Sequence, residues 1–144
     1  MGTSYDTDIV AWAIDQAVLL RTGRVSELDL GNIAEELGDL ARREQREFAN
    51  NLESLLAFLL KWQLQPDQLG TGLRSAIKLQ RFKLMDQLKE APSLKHKLVD
   101  SDWLTRVWVL ATVYAETETG LDTFPEACPW TMDQVLVDDF LPGA

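Results

Sequence analysis

Apolar residues recur at steps of three, four or eight positions along the stretch from Asn32 to Gln65. They are Ile33, Leu37, Leu40, Phe48, Leu52, Leu55, Leu59 and Trp62. This spacing places all of them on one face of a helix. A helix of this length extends about 50 Å at about 1.5 Å per residue, which is more than the width of a small domain. The sequence therefore predicts one long central helix along which the other segments pack.

Four shorter segments also have helical spacing of their apolar residues and cap residues at their ends. They cover residues 8–22, 72–89, 94–119 and about 132–138. Asp6 or Thr7 is the predicted cap of the first segment, and Thr131 with Gln134 forms a capping box before the last. Asp100 is a good N-cap inside the fourth segment and favours an interruption there. The sequence thus predicts an all-α fold, a single-domain helical bundle of about five helices around the long one.

The composition is that of a soluble globular protein, with 46% apolar and 26% charged residues. A chain of 144 residues fits one domain, which we expect to span residues 1–144. The longest purely apolar run, Leu55 to Leu60, is too short to cross a bilayer, which needs about 20 residues. The start of the chain is polar and acidic, unlike a secretory signal. We therefore expect no membrane span and a cytoplasmic location.

The formal net charge is −9, from 23 acidic and 14 basic residues, and it produces a negative field that repels phosphate backbones. We therefore expect no nucleic acid partner, although a basic stripe from Arg74 to Lys89 on the third helix runs against this expectation. The charge either serves solubility alone or attracts a basic protein partner. The sequence leaves both interpretations open.

Residues that would carry catalysis or bind a metal are scarce. The one cysteine, Cys128, has no basic residue nearby to activate it and excludes a Cys-based zinc site. The one histidine, His96, lies four residues before Asp100 but lacks a second histidine to complete a metal site. The Glu-x-x-His pairs of a di-metal bundle and the Gly-rich frame of a phosphate loop are both absent. We expect no cofactor and no metal.

Glu44 falls in the middle of the apolar face of the long helix, between Leu40 and Phe48. A buried carboxylate requires a partner because desolvation of a charge is costly. The best partner is Arg81, which is in line with the apolar positions of the third helix and can bind a carboxylate through two N–H groups. We therefore predict a buried polar cluster of Glu44 and Arg81. It is either a structural salt bridge or a polar pocket in which Glu44 binds a cationic group.

Five tryptophans are many for a chain of 144 residues, and aromatic residues at helical spacing usually lie in the core. Trp62 and Trp130 differ from the others because both lie next to proline-containing turns. We predict that these two residues form a candidate groove for a peptide or another helix.

Six short motifs follow one another along nearly the whole chain. They are Tyr5-Asp6-Thr7-Asp8 with Trp12, Asn32-Ile33-Ala34-Glu35-Glu36-Leu37, Leu60-Lys61-Trp62-Gln63 with Gln65-Pro66, Glu118-Thr119-Gly120-Leu121, Phe124-Pro125-Glu126 with Cys128-Pro129-Trp130, and Phe140-Leu141-Pro142. With these motifs the chain resembles the bacterial domain-of-unknown-function 29 family. The resemblance implies a small, single-domain, all-helical protein. No activity is assigned to the family, so the resemblance implies no functional residue. The chain departs from the family in lacking a tryptophan near the start of the third helix, which reads Leu73-Arg74-Ser75-Ala76-Ile77.

No sequence feature assigns an activity, so the function is uncharacterised at this level. The missing catalytic groups and the acidic surface favour a non-enzymatic cytoplasmic module that binds a protein partner or itself. A homodimer is one form of this hypothesis, because a long helix that extends beyond its neighbours leaves apolar surface exposed. The alternative is a small enzyme or ligand-binding protein that uses buried carboxylates and Arg81.

Overall fold

The long helix predicted from the apolar spacing is present and contains 35 residues, Leu30–Leu64. The computed structural model describes residues 4–64 and 71–143, and in those ranges it consists of five α-helices and two 3₁₀ helices without a β-strand. The elements are α1 (Ile9–Arg21), a 3₁₀ helix (Val25–Glu27), α2 (Leu30–Leu64), α3 (Thr71–Glu90), a 3₁₀ helix (Pro92–Val99), α4 (Ser101–Thr119) and α5 (Met132–Leu136). The predicted all-α fold class is confirmed. Within these ranges, no helix combines the length and the apolar character that crossing a bilayer requires.

Side-chain caps fix the starts of three helices. Asp8 caps α1 by accepting a hydrogen bond from the N–H of Ala11 at 3.0 Å. The predicted cap, Asp6 or Thr7, therefore lies one or two residues too early. Asp100 caps α4 in the same way, so the predicted fourth segment is interrupted there and its first part is a 3₁₀ helix. Thr131 and Gln134 form the predicted capping box of α5. Short polar side chains therefore determine where these helices begin.

α2 contributes to two compact units of the chain. The first unit ends at Glu44, and the second begins at Gln45. A single domain over residues 1–144 stays a prediction. The end of the predicted long helix at Gln65 lies outside the described residues.

The core of the second unit begins at Phe48, which is fully buried. Its ring stacks on Trp103 with centroids 5.8 Å apart and an angle of 16° between the planes. Along α2 the buried positions follow the predicted spacing through Leu52, Leu55 and Leu59. Later helices complete this core with Ile77, Leu84, Leu88, Val107, Trp108, Ala111, Ala115 and Val135. From Phe48 onward, the apolar face predicted for α2 therefore lies in the core.

The first half of α2 differs because Leu30, Leu37 and Leu40 are exposed, whereas Ile33 is half-buried. Leu37 is 62% exposed, and every residue from Leu40 to Glu47 is exposed. This half therefore carries exposed apolar surface, as expected for a long helix that extends beyond its neighbours, and the other segments pack along only part of the predicted face. From Leu40 to Glu47 the helix is exposed on all sides, and such a segment relies on its own backbone hydrogen bonds and on charge pairs along its surface. The 2.5 Å contact between Arg42 and Asp39 is one such pair.

Candidate functional site

The outward half of α1, in the first unit, is apolar. At about 100° per residue, the exposed residues of this helix fall on one half of its circumference. Its apolar members, which we call the α1 stripe, are Ile9, Val10, Ala13, Ile14, Val18 and Leu20. Ile14, near the middle of the helix, is 61% exposed. The opposite side of α1 carries the buried side chains of Trp12 and Leu19, and a helix with large apolar residues on both sides is normally covered on both.

A second exposed apolar row lies on the first half of α2. Its members, which we call the α2 stripe, are Leu30, Ala34, Leu37 and Ala41. Their spacing of four, three and four residues is the one that lets two helices pack side by side in a bundle. The first unit therefore has an apolar row exposed on each of its two α-helices.

The inner side of α1 holds a polar cluster centred on Asp29. The indole N–H of Trp12 donates to Asp29 Oδ2 at 3.0 Å, and the Asn32 amide donates to the same oxygen at 2.8 Å. The backbone N–H of Asp29 in turn donates to Gln16 Oε1 at 2.8 Å. The hydrogen bonds from Asn32 and Trp12 lower the pKa of the Asp29 carboxyl below its ordinary value. These bonds tie α1 to the start of α2.

Tyr5 extends this cluster toward Glu36. The Tyr5 hydroxyl donates to Glu36 Oε1, and its ring meets Trp12 edge to face with centroids 4.9 Å apart. The hydrogen bond to Glu36, with a smaller contribution from desolvation, raises the pKa of Tyr5 to about 12. Tyr5 therefore stays protonated at neutral pH. We call Tyr5, Trp12, Gln16, Asp29, Asn32 and Glu36 the clasp.

A cleft of about 560 Å³ adjoins the clasp. Tyr5, Trp12, Gln16, Asp29 and Asn32 contribute to its lining. The polar groups of this lining are already engaged within the clasp, because the Tyr5 hydroxyl donates to Glu36 and the Asp29 carboxylate accepts from two donors. The clasp therefore acts as a structural element that joins the two helices of the first unit.

Comparison with known families gives one match. A family model described as "Domain of unknown function DUF29" matches residues 4–141. The chain belongs to the DUF29 family. Neither the comparison with curated proteins nor the comparison with solved structures gave a match. The first two motifs of the resemblance to DUF29, which contain Tyr5, Trp12, Asn32 and Glu36, meet in the clasp.

Acid is expected to weaken the clasp of this DUF29 protein through Asp29. Because the folded state lowers the pKa of Asp29, folding favours the ionised carboxylate. This stabilisation is complete above the ordinary pKa of about 3.9 and is lost as pH falls through the folded-state pKa. Asp29→Asn should therefore lower the thermal unfolding midpoint at pH 7, and the gap to the wild type should narrow below about pH 4.

Asp122→Asn is the matched control, because Asp122 is exposed. Its unfolding midpoint should follow that of the wild type at every pH. If the difference in unfolding midpoint between the wild type and Asp29→Asn stays constant or widens in acid, the ionised Asp29 carboxylate does not stabilise the fold.

The predicted cluster of Glu44 and Arg81 needs a correction. Glu44 is exposed, because the packed part of the α2 face starts only at Phe48. Arg81 is 2% exposed and donates hydrogen bonds to the carbonyls of Val135, Asp138 and Phe140. Desolvation lowers the pKa of the Arg81 guanidinium, and the nearby Asp138 and Asp139 oppose this shift. The buried arginine of this DUF29 protein thus holds backbone of the C-terminal segment.

Trp62 and Trp130 are both half-buried and have different neighbours. The Arg74 guanidinium lies 5.2 Å from the centroid of the Trp62 ring. Trp130 meets Trp108 edge to face with centroids 5.9 Å apart and lines a cavity of about 410 Å³. A groove formed by Trp62 and Trp130 together stays a prediction.

His96 and Cys128 have surroundings that do not resemble a reactive site. His96 is exposed on the 3₁₀ helix before α4. Burial raises the pKa of the Cys128 thiol, and its Sγ contacts the carbonyl of Trp130 at 3.4 Å. In residues 4–64 and 71–143 there is no group of three or more His, Cys, Asp or Glu side chains arranged to bind a metal.

Glu53 is a buried carboxylate that is not among the predicted site residues. It is 4% exposed, and desolvation raises its pKa, with Arg106 partly opposing the shift. The sequence feature that indicates its burial is the dense apolar run Leu55 to Leu60, because this run widens the buried face of α2 beyond a single row. Glu53 lies within that wider face.

Proposed function

We propose that this DUF29 protein is a non-enzymatic interaction module whose first unit binds a second copy of the chain. The observation that carries the proposal is the α1 stripe, the apolar outward half of a helix whose inner half is occupied by the clasp. Exposed apolar faces of this kind mark surfaces that bind another protein. Ile14 lies near the middle of the stripe.

The size of the first unit supports a second copy as the occupant. This unit has two α-helices, α1 and the first half of α2, within about 40 residues, a size at which isolated units usually need oligomerisation for stability. Two such helix pairs supply the four helices of a four-helix bundle. In a two-fold dimer both copies bind through the same surface, so one apolar face on each chain is enough to form a closed dimer.

The salt dependence of binding distinguishes a second copy of the chain from a basic protein partner. Two copies that each carry a net charge of −9 repel one another, and salt screens this repulsion. Burial of the α1 stripe is not weakened by salt. Self-association should therefore strengthen as salt concentration rises, whereas binding of a basic partner to the acidic surface should weaken.

Sedimentation velocity of the wild type and two variants tests the proposal. Ile14→Asp places a charge in the α1 stripe, and we expect it to shift the monomer–dimer equilibrium toward monomer by about a hundredfold or more. Val109→Asp is the matched control, because Val109 is a β-branched residue of α4 that is 50% exposed. The wild type and the control should form dimers, and added salt should favour them.

Two outcomes would overturn the proposal. The first is a wild type that stays monomeric as its concentration and the salt concentration rise. The second is an Ile14→Asp variant that dimerises as strongly as Val109→Asp. Circular dichroism of each variant shows whether its helices are intact, so that loss of the dimer is not confused with unfolding.

A cytoplasmic location is part of this proposal. The composition supports it, because a single cysteine in 144 residues cannot form the intrachain disulfides that many secreted domains use. A bacterial source, implied by the resemblance to a bacterial family, is likewise a proposal.

A further inference from the structure

An open groove in the second unit lies between α3 and the C-terminal segment from Leu136 to Leu141. Its volume is about 1170 Å³. On α3 the exposed residues along the groove are Arg74, Lys78, Phe82 and Met85. They recur at steps of four, four and three, so they form one row along the helix. This row extends about 16 Å, which is the length of three helical turns.

The second wall of the groove is held in place by Arg81. Its guanidinium donates to the carbonyls of Val135 and Asp138 at 2.9 and 3.0 Å and also to the carbonyl of Phe140. The side chains of Phe140 and Leu141 pack against the core. The groove therefore has two fixed walls before any ligand arrives, which reduces the entropy cost of binding.

One end of the groove exposes large apolar side chains. Phe82 is 69% exposed and Met85 is close to half exposed. On the opposite wall Val137 also lines the groove and is close to half exposed. Aromatic residues and methionine are enriched where proteins bind other proteins, because they bury much area and adapt their shape. This end of the groove can therefore hold apolar anchors of a ligand.

The other end of the α3 row is basic. Arg74 and Lys78 are exposed, and neither forms an ion pair with another residue of the described ranges. Asp138 and Asp139 belong to the opposite wall. A ligand would therefore place its acidic groups on the α3 side, toward Arg74 and Lys78. The Arg74 guanidinium lies over the Trp62 ring at 5.2 Å, which leaves its N–H edge able to bind a carboxylate, and Lys78 has no acidic partner among the described residues.

We propose that this groove binds one amphipathic helix of a partner protein. The apolar residues of that helix pack on Phe82, Met85 and Val137, and its acidic residues face Arg74 and Lys78. A row of three turns that is open to solvent on one side matches a helix lying in a groove. The proposal uses residues of the second unit alone, so it stands or falls separately from pairing through the α1 stripe.

Synthetic helical peptides test the proposal by fluorescence anisotropy with the full chain. The probe peptide has two glutamates one turn apart at one end and three leucines on the same face along the next turns. It is made in two versions, with the glutamates at the N-terminal or at the C-terminal end. The control peptides have lysines in place of the glutamates. We expect one glutamate version to bind at least about tenfold more tightly than its lysine control, with a difference that shrinks as salt is added.

Variants of the groove locate the binding. Phe82→Ala should weaken binding of the glutamate peptide about tenfold or more, whereas Leu79→Ala, an exposed residue of α3 outside the groove lining, should not. Arg74→Glu with Lys78→Glu should also weaken it about tenfold or more. The control is Lys83→Glu, since Lys83 is exposed on α3 but does not line the groove.

Three outcomes would overturn the proposal. If the glutamate and lysine peptides bind with equal affinity, acidic groups of the ligand are not recognised by Arg74 and Lys78. If Phe82→Ala binds the glutamate peptide as tightly as Leu79→Ala does, the groove is not the binding site. Binding to vesicles of anionic lipid that depends on Arg74 and Lys78, without binding of either glutamate peptide, would assign the basic row to a membrane surface instead.

Discussion

The Arg81→Met variant is expected to unfold with a free energy about 3 to 5 kcal/mol below that of the wild type. Methionine fills much of the volume of the arginine stem but donates no hydrogen bond. The carbonyls of Val135, Asp138 and Phe140 would each lose a donor, and an unsatisfied buried acceptor costs about 1 to 3 kcal/mol. The expected sum is below three full penalties because two of these bonds are only partly buried. Urea unfolding followed by circular dichroism measures the difference.

Two further variants separate the hydrogen bonds of Arg81 from its charge. Arg81→Lys keeps a cation but cannot reach three carbonyls in a fixed fork, so it should lose about 2 kcal/mol. Arg74→Met makes the same change as Arg81→Met at an exposed position of the same helix and should lose less than about 1 kcal/mol, which includes the contact of its guanidinium with the Trp62 ring. A loss below about 1 kcal/mol for Arg81→Met would show that Arg81 does not hold the C-terminal segment.

The Phe48→Ala variant is expected to lose about 3 to 5 kcal/mol of unfolding free energy. Phe48 is fully buried at the point where the core face of α2 begins, and its ring stacks on Trp103. Its truncation removes apolar contact area and leaves a cavity that the surrounding helices fill only in part. The same urea experiment measures this loss, with tryptophan fluorescence as a second readout near Trp103.

Phe82→Ala is the matched control for Phe48→Ala. Both changes remove a phenyl ring from a helix, but Phe82 is 69% exposed. It should lose less than about 1 kcal/mol. Equal losses for the two variants would mean that Phe48 is not a core residue and would contradict the packing of the second unit.

The helices of this protein could be predicted from its sequence because each has its own local signal. The capping box of Thr131 and Gln134 and the N-cap signal of Asp100 involve residues close in sequence, and both are present. The buried spacing from Phe48 to Leu59 follows from helical geometry in the same way. Such signals require no knowledge of the tertiary structure.

Glu44 could not be placed from its sequence position, because spacing shows which residues share a face but not whether another element covers it. Leu40 and Phe48 share a face with Glu44, yet Leu40 is exposed and Phe48 is buried. For Arg81 the partners are backbone carbonyls, which every residue carries and which leave no mark in the sequence.

The clasp could not be derived from local patterns. The Tyr5 hydroxyl and Glu36 are 31 residues apart, and Trp12 and Asp29 are 17 apart. The chain brings them together only after it reverses between α1 and α2, where Gly23 adopts a positive φ of 72°. Tyr5, Trp12 and Glu36 were visible beforehand only as parts of the motifs that resemble DUF29. Their role in joining two helices required the structure.

An electron spin resonance distance between two copies tests pairing through the α1 stripe most directly. A single spin label is attached at Arg21→Cys, an exposed position in the last turn of α1, in a chain that also carries Cys128→Ser. Because each chain has one label, any dipolar distance arises between copies. The account predicts a defined distance below about 40 Å, from the length of α1 and the spacing of packed helices, and its disappearance when Ile14→Asp is added. The absence of any distance in the labelled wild type, or a distance that persists with Ile14→Asp, would contradict it.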